Sequence, residues 1–324
     1  YMEDTVHSSH QQCLQDQDRF YKKDVGRNQM TINIEPIHLE RPNFAGLLSG
    51  VSVANGISKE DATEIEDGMN HFAVLVLRNQ QITDDQQCAF SEYFGPLEQA
   101  TGDIDQSATR RLSMKVNDIS NLDENGAVMA IDDRRSLFSL GNRLWHSDSS
   151  FKQTPAKYSL LSARDIPASG GTTQFADMRA AWDALAPEMQ VECMDKICDH
   201  SQLYSRGLLG FAEWTDAEIA FNQPVPQRLV RRHAGSGRLS LYLSAHAGAI
   251  DGQPMPEARI FLRELNEHAT QHQFIYSHEW QPNDLVIWDN RATMHRATRY
   301  DGEEVRDLHR TTVTDSAPTL QQPV

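Results

Sequence analysis

The pattern of apolar and polar positions changes near residue 112. Upstream, residues 58–71 repeat apolar positions at helical spacing, and the stretch begins with Ser followed three residues later by Asp, a capping arrangement. The apolar run at 72–78 is typical of a strand, and a second helix is predicted from Thr83 to Gly95. This part of the chain is therefore predicted to form a helix, a strand and a helix.

Beyond residue 112 the chain is dominated by short strand candidates separated by Gly, Pro, Asn and Asp. The candidates are LSMKV, KYSLLSA, TTQFAD, RLVRRHA, LSLYLSA, QFIYSHEW, DLVIWD and LHRTTVT. Two helical stretches interrupt them, one at roughly 178–198 with a break at Pro187 and one at roughly 256–272. This pattern favours an antiparallel sandwich or barrel.

Charge and composition exclude several classes of function. With 30 Lys and Arg against 46 Asp and Glu, the 324-residue chain has a formal net charge of −16, which repels nucleic-acid phosphates. No apolar run reaches the ~18 residues of a membrane span, and the polar first residues predict no signal peptide. The four cysteines form no CxxC pair, which favours a reducing cytosol. We therefore expect a cytoplasmic protein whose partner is neither nucleic acid nor membrane.

The segment LWHSDSSF contains a candidate metal site. His146 and Asp148 lie two apart, and alternate residues of a strand project to the same face. An imidazole and a carboxylate side by side supply two ligands, and a second histidine from elsewhere would complete the set typical of non-haem Fe(II) oxygenases. A His-x-Asp by itself is equally compatible with polar residues at an exposed strand end.

A second constellation lies in WDNRATMHRATRYDGEEVRDLHRTTV. His295 follows the strand candidate DLVIWD, and Arg306 and Arg310 come eleven and fifteen residues later. Two guanidinium groups on one face beside a metal ligand are suited to binding two carboxylates. The alternative is a solvated strand whose arginines are neutralised by neighbouring acidic residues.

The combination resembles the Fe(II)/2-oxoglutarate-dependent dioxygenases of the taurine dioxygenase and 2,4-dichlorophenoxyacetate dioxygenase family, and it is closest to the dichlorophenoxyacetate branch. The segments LWHSDSSF, SGGTTQFADMRAAWDAL, HAGSGR and WDNRATMHRATRYD carry the resemblance, which spans about residues 40–315. It implies a mainly β fold with flanking helices, a cupin-like double-stranded β-helix or jelly-roll. Residues 30–324 would form one such domain, preceded by a flexible N-terminal arm or cloning remnant at 1–29.

The resemblance also implies roles for individual residues. His146, Asp148 and His295 match the three iron ligands of the family. Thr173 and Arg306 match the residues that hold the distal carboxylate of 2-oxoglutarate.

Further matches concern the substrate. Arg310 matches the arginine that binds its acidic group, and Asn142 falls where the taurine enzyme has a substrate-contacting asparagine. His200, His233 and His246 lie in segments implicated near the substrate, with polar surface or inter-subunit contact as the alternative.

The activity implied is oxidation of a C–H bond in a small carboxylate, with O₂ consumed and 2-oxoglutarate converted to succinate and CO₂. The favoured substrate is an aryloxyalkanoate, which would be hydroxylated and would then undergo ether cleavage. The carboxylate of Asp148 favours hydroxylation over halogenation. An amino acid, a sulfonate or a secondary-metabolite intermediate is the alternative substrate, with hydroxylation, desaturation or ring closure as outcomes. A non-catalytic jelly-roll binding protein is a remote alternative. Family members often form dimers or tetramers, so the resemblance also allows a homo-oligomer.

Overall fold

A computed structural model of the chain describes residues 31–100 and 109–324. The predicted arm at 1–29 lies outside the described residues. The strands are β1 (Asn33–Pro36), β2 (Gly46–Ser49), β3 (Val74–Leu77), β4 (Asn117–Ser120), β5 (Ala156–Asp165), β6 (Thr173–Asp177), β7 (Ile197–His200), β8 (Val225–Arg228), β9 (Val230–Arg232), β10 (Leu239–Leu241), β11 (Ala247–Ile250), β12 (Ile275–His278), β13 (Leu285–Asp289), β14 (Thr293–Ala297) and β15 (Asp307–Thr314). The helices are α1 (Lys59–Phe72), α2 (Asp84–Ser91), α3 (Arg134–Ser139), α4 (Met178–Asp183), α5 (Pro187–Cys193), α6 (Gln202–Gly207), α7 (Asp216–Phe221) and α8 (Met255–Ala269). Short 3₁₀ turns occupy Val53–Asn55, Glu92–Phe94, Leu140–Arg143, His272–Phe274 and Thr319–Gln321.

The two predicted N-terminal helices are confirmed, and each begins with a capping box. At the start of α1, Ser58 accepts a hydrogen bond from the backbone N–H of Asp61, whose side chain in turn accepts from the Ser58 N–H. Thr83 and Gln86 make the same reciprocal pair at α2. Because a capping box satisfies two backbone donors locally, these boundaries could be predicted from the sequence.

Two sheets frame the centre of the molecule. A seven-stranded sheet has the order β1-β2-β3-β13-β5-β15-β4, in which only the β2–β3 pair is parallel, and a three-stranded antiparallel sheet has the order β12-β6-β14. Two smaller sheets, β11-β7-β8 and β10-β9, lie beside them. Sequence-distant strands are thus neighbours in space, as an antiparallel fold with crossovers requires.

The seven-stranded sheet buries both of its faces. Along β3, Leu75 and Leu77 pack in a core with α1 and α2, whereas Val74 and Val76 pack in a second core with residues of the three-stranded sheet. This alternation follows from the two-residue period of a strand. His295, the central residue of β14, packs its ring against Phe175 and Trp288 of this second core.

Three local predictions are wrong. LSMKV is not a strand, because residues 113–116 form a turn and pairing with β15 begins only at Asn117. The helix predicted to reach residue 198 ends at Cys193, since residues 197–200 pair with β8 and β11. Residues 146–148 are not a strand but a single bridge followed by a turn. In each case long-range pairing, which the local pattern does not encode, decides the outcome.

In the part of the chain that the structure describes, no helix has both the length and the apolar character needed to cross a bilayer.

Candidate metal and co-substrate site

The structure brings the three predicted metal ligands together. His146 and His295 form an isolated antiparallel bridge, with backbone N–H···O distances of 3.0 and 2.8 Å. Asp148 lies across from both imidazoles, its Oδ1 3.8 Å from His146 Nε2 and its Oδ2 3.7 Å from His295 Nε2. All three side chains are buried, and they offer ligand atoms within 4.8 Å of one another. Within residues 31–100 and 109–324 no other group of His, Cys, Asp and Glu has this geometry.

A turn, not a strand, aims the carboxylate. The chain turns after His146, and Ser149 adopts a left-handed conformation with φ +53°. Asp148 is held in place because its backbone N–H donates to Asn290 Oδ1 at 3.0 Å and its Oδ2 accepts from Ser159 Oγ at 2.7 Å. The carboxylate orientation is therefore set by β5 and by the loop after β13.

The protonation states suit metal binding. Burial alone would raise the pKa of Asp148, but the positive charge of Arg310 and a hydrogen bond from Ser159 hold it below its ordinary value. Burial lowers the pKa of His146 and, more strongly, that of His295, so both rings are neutral. His146 Nδ1 lies 2.7 Å from the Leu144 carbonyl, which fixes the proton on Nδ1 and leaves Nε2 as a lone-pair donor. Two neutral imidazoles and one ionised carboxylate form the donor set of non-haem Fe(II) sites, so the residues fit that metal.

A cavity of about 1040 Å³ opens beside the two histidines. Its polar lining includes the candidate residues Asn142, Thr173, Arg306 and Arg310. An apolar part of the wall comes from Met129, Ile131, Leu137, Leu140 and Leu161. Two candidate metal ligands, two arginines and an apolar surface therefore line the same cavity.

Arg306 is a buried cation, and no carboxylate among the described residues pairs with it. The residue is 5% exposed, and within the described residues the only hydrogen bond of its guanidinium goes from Nη2 to the Gly171 carbonyl at 3.3 Å. Nε has no partner there, and burial lowers the pKa of the guanidinium to about 10. Gly171 has φ +66°, and a Cβ there would lie 3.3 Å from Arg306 Nε, so the glycine gives the guanidinium room. An uncompensated buried charge is costly, which indicates that this one is balanced by an anionic ligand.

Arg310 contacts the candidate metal ligand directly. Its Nη1 donates to Asp148 Oδ1 at 2.5 Å, while Nε has no partner among the described residues. Asp307, one of the acidic residues that could have neutralised the arginines, pairs instead with Arg111 at 2.5 Å. The solvated-strand alternative for the two arginines is therefore wrong.

The remaining predicted substrate residues fall into two groups. Asn142, in the 3₁₀ turn Leu140–Arg143, lines the cavity. His200, His233 and His246 do not line it, although the ring centroid of His246 lies 5.9 Å from that of His146. Their interpretation as polar surface is wrong, since all three are buried.

These three histidines have interior contacts. His233 Nε2 is 2.8 Å from Asp289 Oδ2, and His246 Nδ1 is 2.9 Å from Ser205 Oγ. His200 stacks on Tyr242 with ring centroids 5.8 Å apart. A direct substrate contact from these side chains receives no support from the structure.

Sequence reasoning missed the residues that orient the ligands. Ser159 and Asn290 both make hydrogen bonds with Asp148. The indole N–H of Trp288 donates to Asn290 Oδ1 at 3.1 Å. The Trp288 ring also packs against the His295 ring, with centroids 4.6 Å apart. The one available signal was a polar residue inside an apolar strand, as Ser159 is in KYSLLSA.

Comparisons with known proteins show the family of the chain. The family model described as "Taurine catabolism dioxygenase TauD, TfdA family" matches residues 39–312. The chain is 43% identical over 288 residues to the alpha-ketoglutarate-dependent 2,4-dichlorophenoxyacetate dioxygenase of Cupriavidus pinatubonensis (strain JMP 134 / LMG 1197), which covers 89% of this chain and 99% of that protein. It is 34% identical over 271 residues to the (S)-phenoxypropionate/alpha-ketoglutarate-dioxygenase of Sphingobium herbicidovorans, covering 81% of this chain and 89% of that one.

Solved structures share the fold. The crystal structure of AAD-2 in complex with Mn(II) and N-oxalylglycine is 50% identical, has a TM-score of 0.87, and covers 90% of this chain and 100% of that chain. The resemblance inferred from the motifs is confirmed, as is the dependence on a metal and 2-oxoglutarate. The chain belongs to the TauD, TfdA family and is a 2-oxoglutarate-dependent dioxygenase.

Proposed function

We propose that the chain oxidises a small aryloxyalkanoate, using Fe(II), O₂ and 2-oxoglutarate. Hydroxylation of the carbon that bears the ether oxygen gives a hemiacetal, which collapses to a phenol and a 2-oxo acid, while 2-oxoglutarate becomes succinate and CO₂. The observation that carries the proposal is the buried Arg306, which no described carboxylate neutralises and which lines the same cavity as His146 and His295. Anionic substrates are compatible with an acidic protein, because Arg306 and Arg310 lie together in the wall of this cavity.

Residues are assigned to the metal by their geometry. His146, Asp148 and His295 would hold Fe(II), which supplies the O₂ activation that no amino-acid side chain provides. Ser159 and Arg310 keep the Asp148 carboxylate ionised and oriented, because they occupy its two oxygens. The bridge between His146 and His295 fixes the backbone at both imidazoles.

The co-substrate is assigned to Arg306 and Thr173. A distal carboxylate between them would provide the anion that no described residue offers to the buried guanidinium, and a bidentate pairing is the geometry that arginine favours. Thr173 is 3% exposed, lies at the start of β6 and lines the same cavity. The hydroxyl and the guanidinium therefore define one end of the co-substrate's position.

The prime substrate is assigned to the remaining wall. Arg310 retains N–H donors beyond the one bound to Asp148, and these would receive the substrate carboxylate. Asn142 would contribute a further polar contact, and the apolar residues Leu137, Leu140 and Leu161 would pack against an aryl ring. The substrates printed in the names of the relatives, 2,4-dichlorophenoxyacetate and phenoxypropionate, have this combination of a carboxylate and an aryl ether.

The rest of the assignment concerns architecture and location. We propose that the seven-stranded and three-stranded sheets are the two halves of one jelly-roll domain spanning the described residues. A cytoplasmic location is supported by the buried free thiols of Cys88, Cys193 and Cys198. We propose a homo-oligomer, because members of the family often form dimers or tetramers.

A panel of small organic acids tests the proposal. Aryloxyacetates, aryloxypropionates, amino acids and sulfonates are each incubated with the Fe(II) enzyme, 2-oxoglutarate and O₂, and succinate and phenol are measured. We expect aryloxyalkanoates to stimulate succinate release, with one phenol formed per succinate. Stimulation by amino acids or sulfonates alone would contradict the substrate assignment. A folded protein that binds no Fe(II) would favour a binding protein instead.

A further inference from the structure

Trp280 makes a hydrogen bond to the cavity wall. Its indole Nε1–H donates to Thr173 Oγ1 at 3.0 Å. The contact follows from strand register, because β12 pairs with β6 so that His278 lies directly opposite Thr173, and Trp280 comes two residues later. Trp280 is partly buried and packs at the edge of the core between the two sheets.

A buried cluster holds the Trp280 ring in place. The His278 ring meets it edge-on, with centroids 4.6 Å apart and planes at 87°. His278 is fixed at both nitrogens, since Nε2 lies 3.1 Å from Asp284 Oδ2 and Nδ1 lies 3.0 Å from the Tyr276 hydroxyl. Arg78 also contacts the Asp284 carboxylate.

The donors and acceptors in this cluster have one consistent assignment. The Asp284 carboxylate beside Arg78 accepts the Nε2–H proton of His278, so Nδ1 accepts from Tyr276. Burial lowers the pKa of His278, which agrees with a neutral ring. Both ring nitrogens of His278 are thereby hydrogen-bonded, and these two bonds hold the ring against Trp280.

The same logic fixes the direction of the Thr173 hydroxyl. An indole N–H can only donate, so Thr173 Oγ1 must accept that bond and keeps its own proton for another partner. Among the described residues no acceptor for this proton is found, and Thr173 lines the cavity beside Arg306. The hydroxyl is therefore set to donate into the cavity.

We propose that Trp280 is a positioning residue for the co-substrate: by donating to Thr173 it commits the threonine hydroxyl to donate to the distal carboxylate of 2-oxoglutarate. This inference rests on the proposed role of Thr173. Without the indole N–H, the hydroxyl rotates freely and accepts from water or donates elsewhere. Trp280 thus contributes to co-substrate affinity without touching the co-substrate.

Calorimetric binding to the Mn(II)-loaded protein tests the inference without turnover. The variants are Trp280→Phe, which keeps an aromatic ring but removes the N–H, Thr173→Val, which removes the hydroxyl, and the double variant. Trp182→Phe is the matched control, because Trp182 is a buried tryptophan of α4 in a different core. The ligands are 2-oxoglutarate and 2-oxopentanoate, which has the same 2-oxo acid end but no distal carboxylate.

We expect Trp280→Phe to raise the Kd of 2-oxoglutarate by about twofold to tenfold, the effect of one neutral hydrogen bond. Thr173→Val should raise it by about tenfold or more, because the lost bond is to a charged group. Adding Trp280→Phe to Thr173→Val should have no further effect, and neither variant nor the Trp182 control should change the Kd of 2-oxopentanoate.

Three results would overturn the inference in different ways. If Thr173→Val weakens 2-oxoglutarate binding and Trp280→Phe does not, Thr173 keeps its proposed role and Trp280 has none. If Trp280→Phe weakens both acids equally, the residue supports the wall in general and not the hydroxyl. If Thr173→Val has no effect on 2-oxoglutarate, the co-substrate assignment itself fails.

Discussion

Replacing Arg306 by Met should make the free protein more stable while abolishing tight co-substrate binding. The guanidinium is buried and lacks a carboxylate among the described residues, and burial lowers its pKa to about 10. A fall of that size corresponds to about 3 kcal/mol of unfavourable charge burial, since each pKa unit is worth about 1.4 kcal/mol. Loss of the bond to Gly171 offsets about 1 kcal/mol, so the net gain in the free energy of unfolding is about 2 kcal/mol.

The same substitution should weaken the binding of 2-oxoglutarate. Removing one partner of a buried charge pair costs about 2–5 kcal/mol, which is roughly a 30-fold to several-thousand-fold increase in the Kd of 2-oxoglutarate. Urea unfolding of the metal-free protein gives the first quantity, and calorimetry with the Mn(II)-loaded protein gives the second.

Arg179→Met is the matched control. Arg179 is equally buried but bonded to Asp177, with Nε 3.0 Å from Oδ1, so its removal leaves a buried carboxylate unpaired. We expect a loss of about 3–5 kcal/mol, opposite in sign to the effect at Arg306. If Arg306→Met destabilises the free protein as Arg179→Met does, or leaves the Kd of 2-oxoglutarate within twofold, the reasoning about an unpaired cation is refuted.

Two further predictions concern residues around the site. Ser159→Ala removes the hydroxyl that donates to Asp148 Oδ2 and should lower metal affinity by about tenfold to 100-fold, measured by Mn(II) titration of the folded variant. Because Asn290 Nδ2 also loses its acceptor, the free energy of unfolding should fall by about 1–3 kcal/mol. Unchanged metal affinity would show that the bond to Asp148 is dispensable. His309 lies 2.6 Å from Asp84 and 3.2 Å from Asp307; burial opposes protonation, but these carboxylates raise its pKa above the usual value. Its stabilising effect is therefore complete below about pH 6.5 and lost as the pH rises through the raised pKa. The stability difference between wild type and His309→Gln should shrink from pH 6 to pH 9 in urea titrations, and a difference that grows would contradict this assignment.

Local features of the fold could be predicted, and pairing between distant segments could not. The capping boxes at Ser58 and Thr83 are complete within four residues, so the sequence alone locates both helix starts. His146 and Asp148 were expected on one strand, but a bridge to His295, 149 residues along the chain, and a turn at Ser149 place them instead.

The same distinction applies to the site. The candidate metal ligands and the roles of Thr173 and Arg306 came from the resemblance of the surrounding motifs to the family. Contacts such as Trp280 with Thr173 depend on the register of β12 against β6, which no local pattern specifies. The burial of His200, His233 and His246 could not be predicted either. The sequence around a histidine does not show whether its ring bonds to an internal group or to solvent.

In the proposed enzyme, one cavity holds Fe(II) on His146, Asp148 and His295 and 2-oxoglutarate on Arg306. Anaerobic titration of the Fe(II)-loaded protein with 2-oxoglutarate, followed by visible absorption, detects both together. We predict a weak charge-transfer band that saturates at one 2-oxoglutarate per chain, that is absent in Asp148→Ala, and that requires far higher 2-oxoglutarate in Arg306→Met. A folded protein that stays colourless, or a band that Asp148→Ala leaves unchanged, would contradict the account.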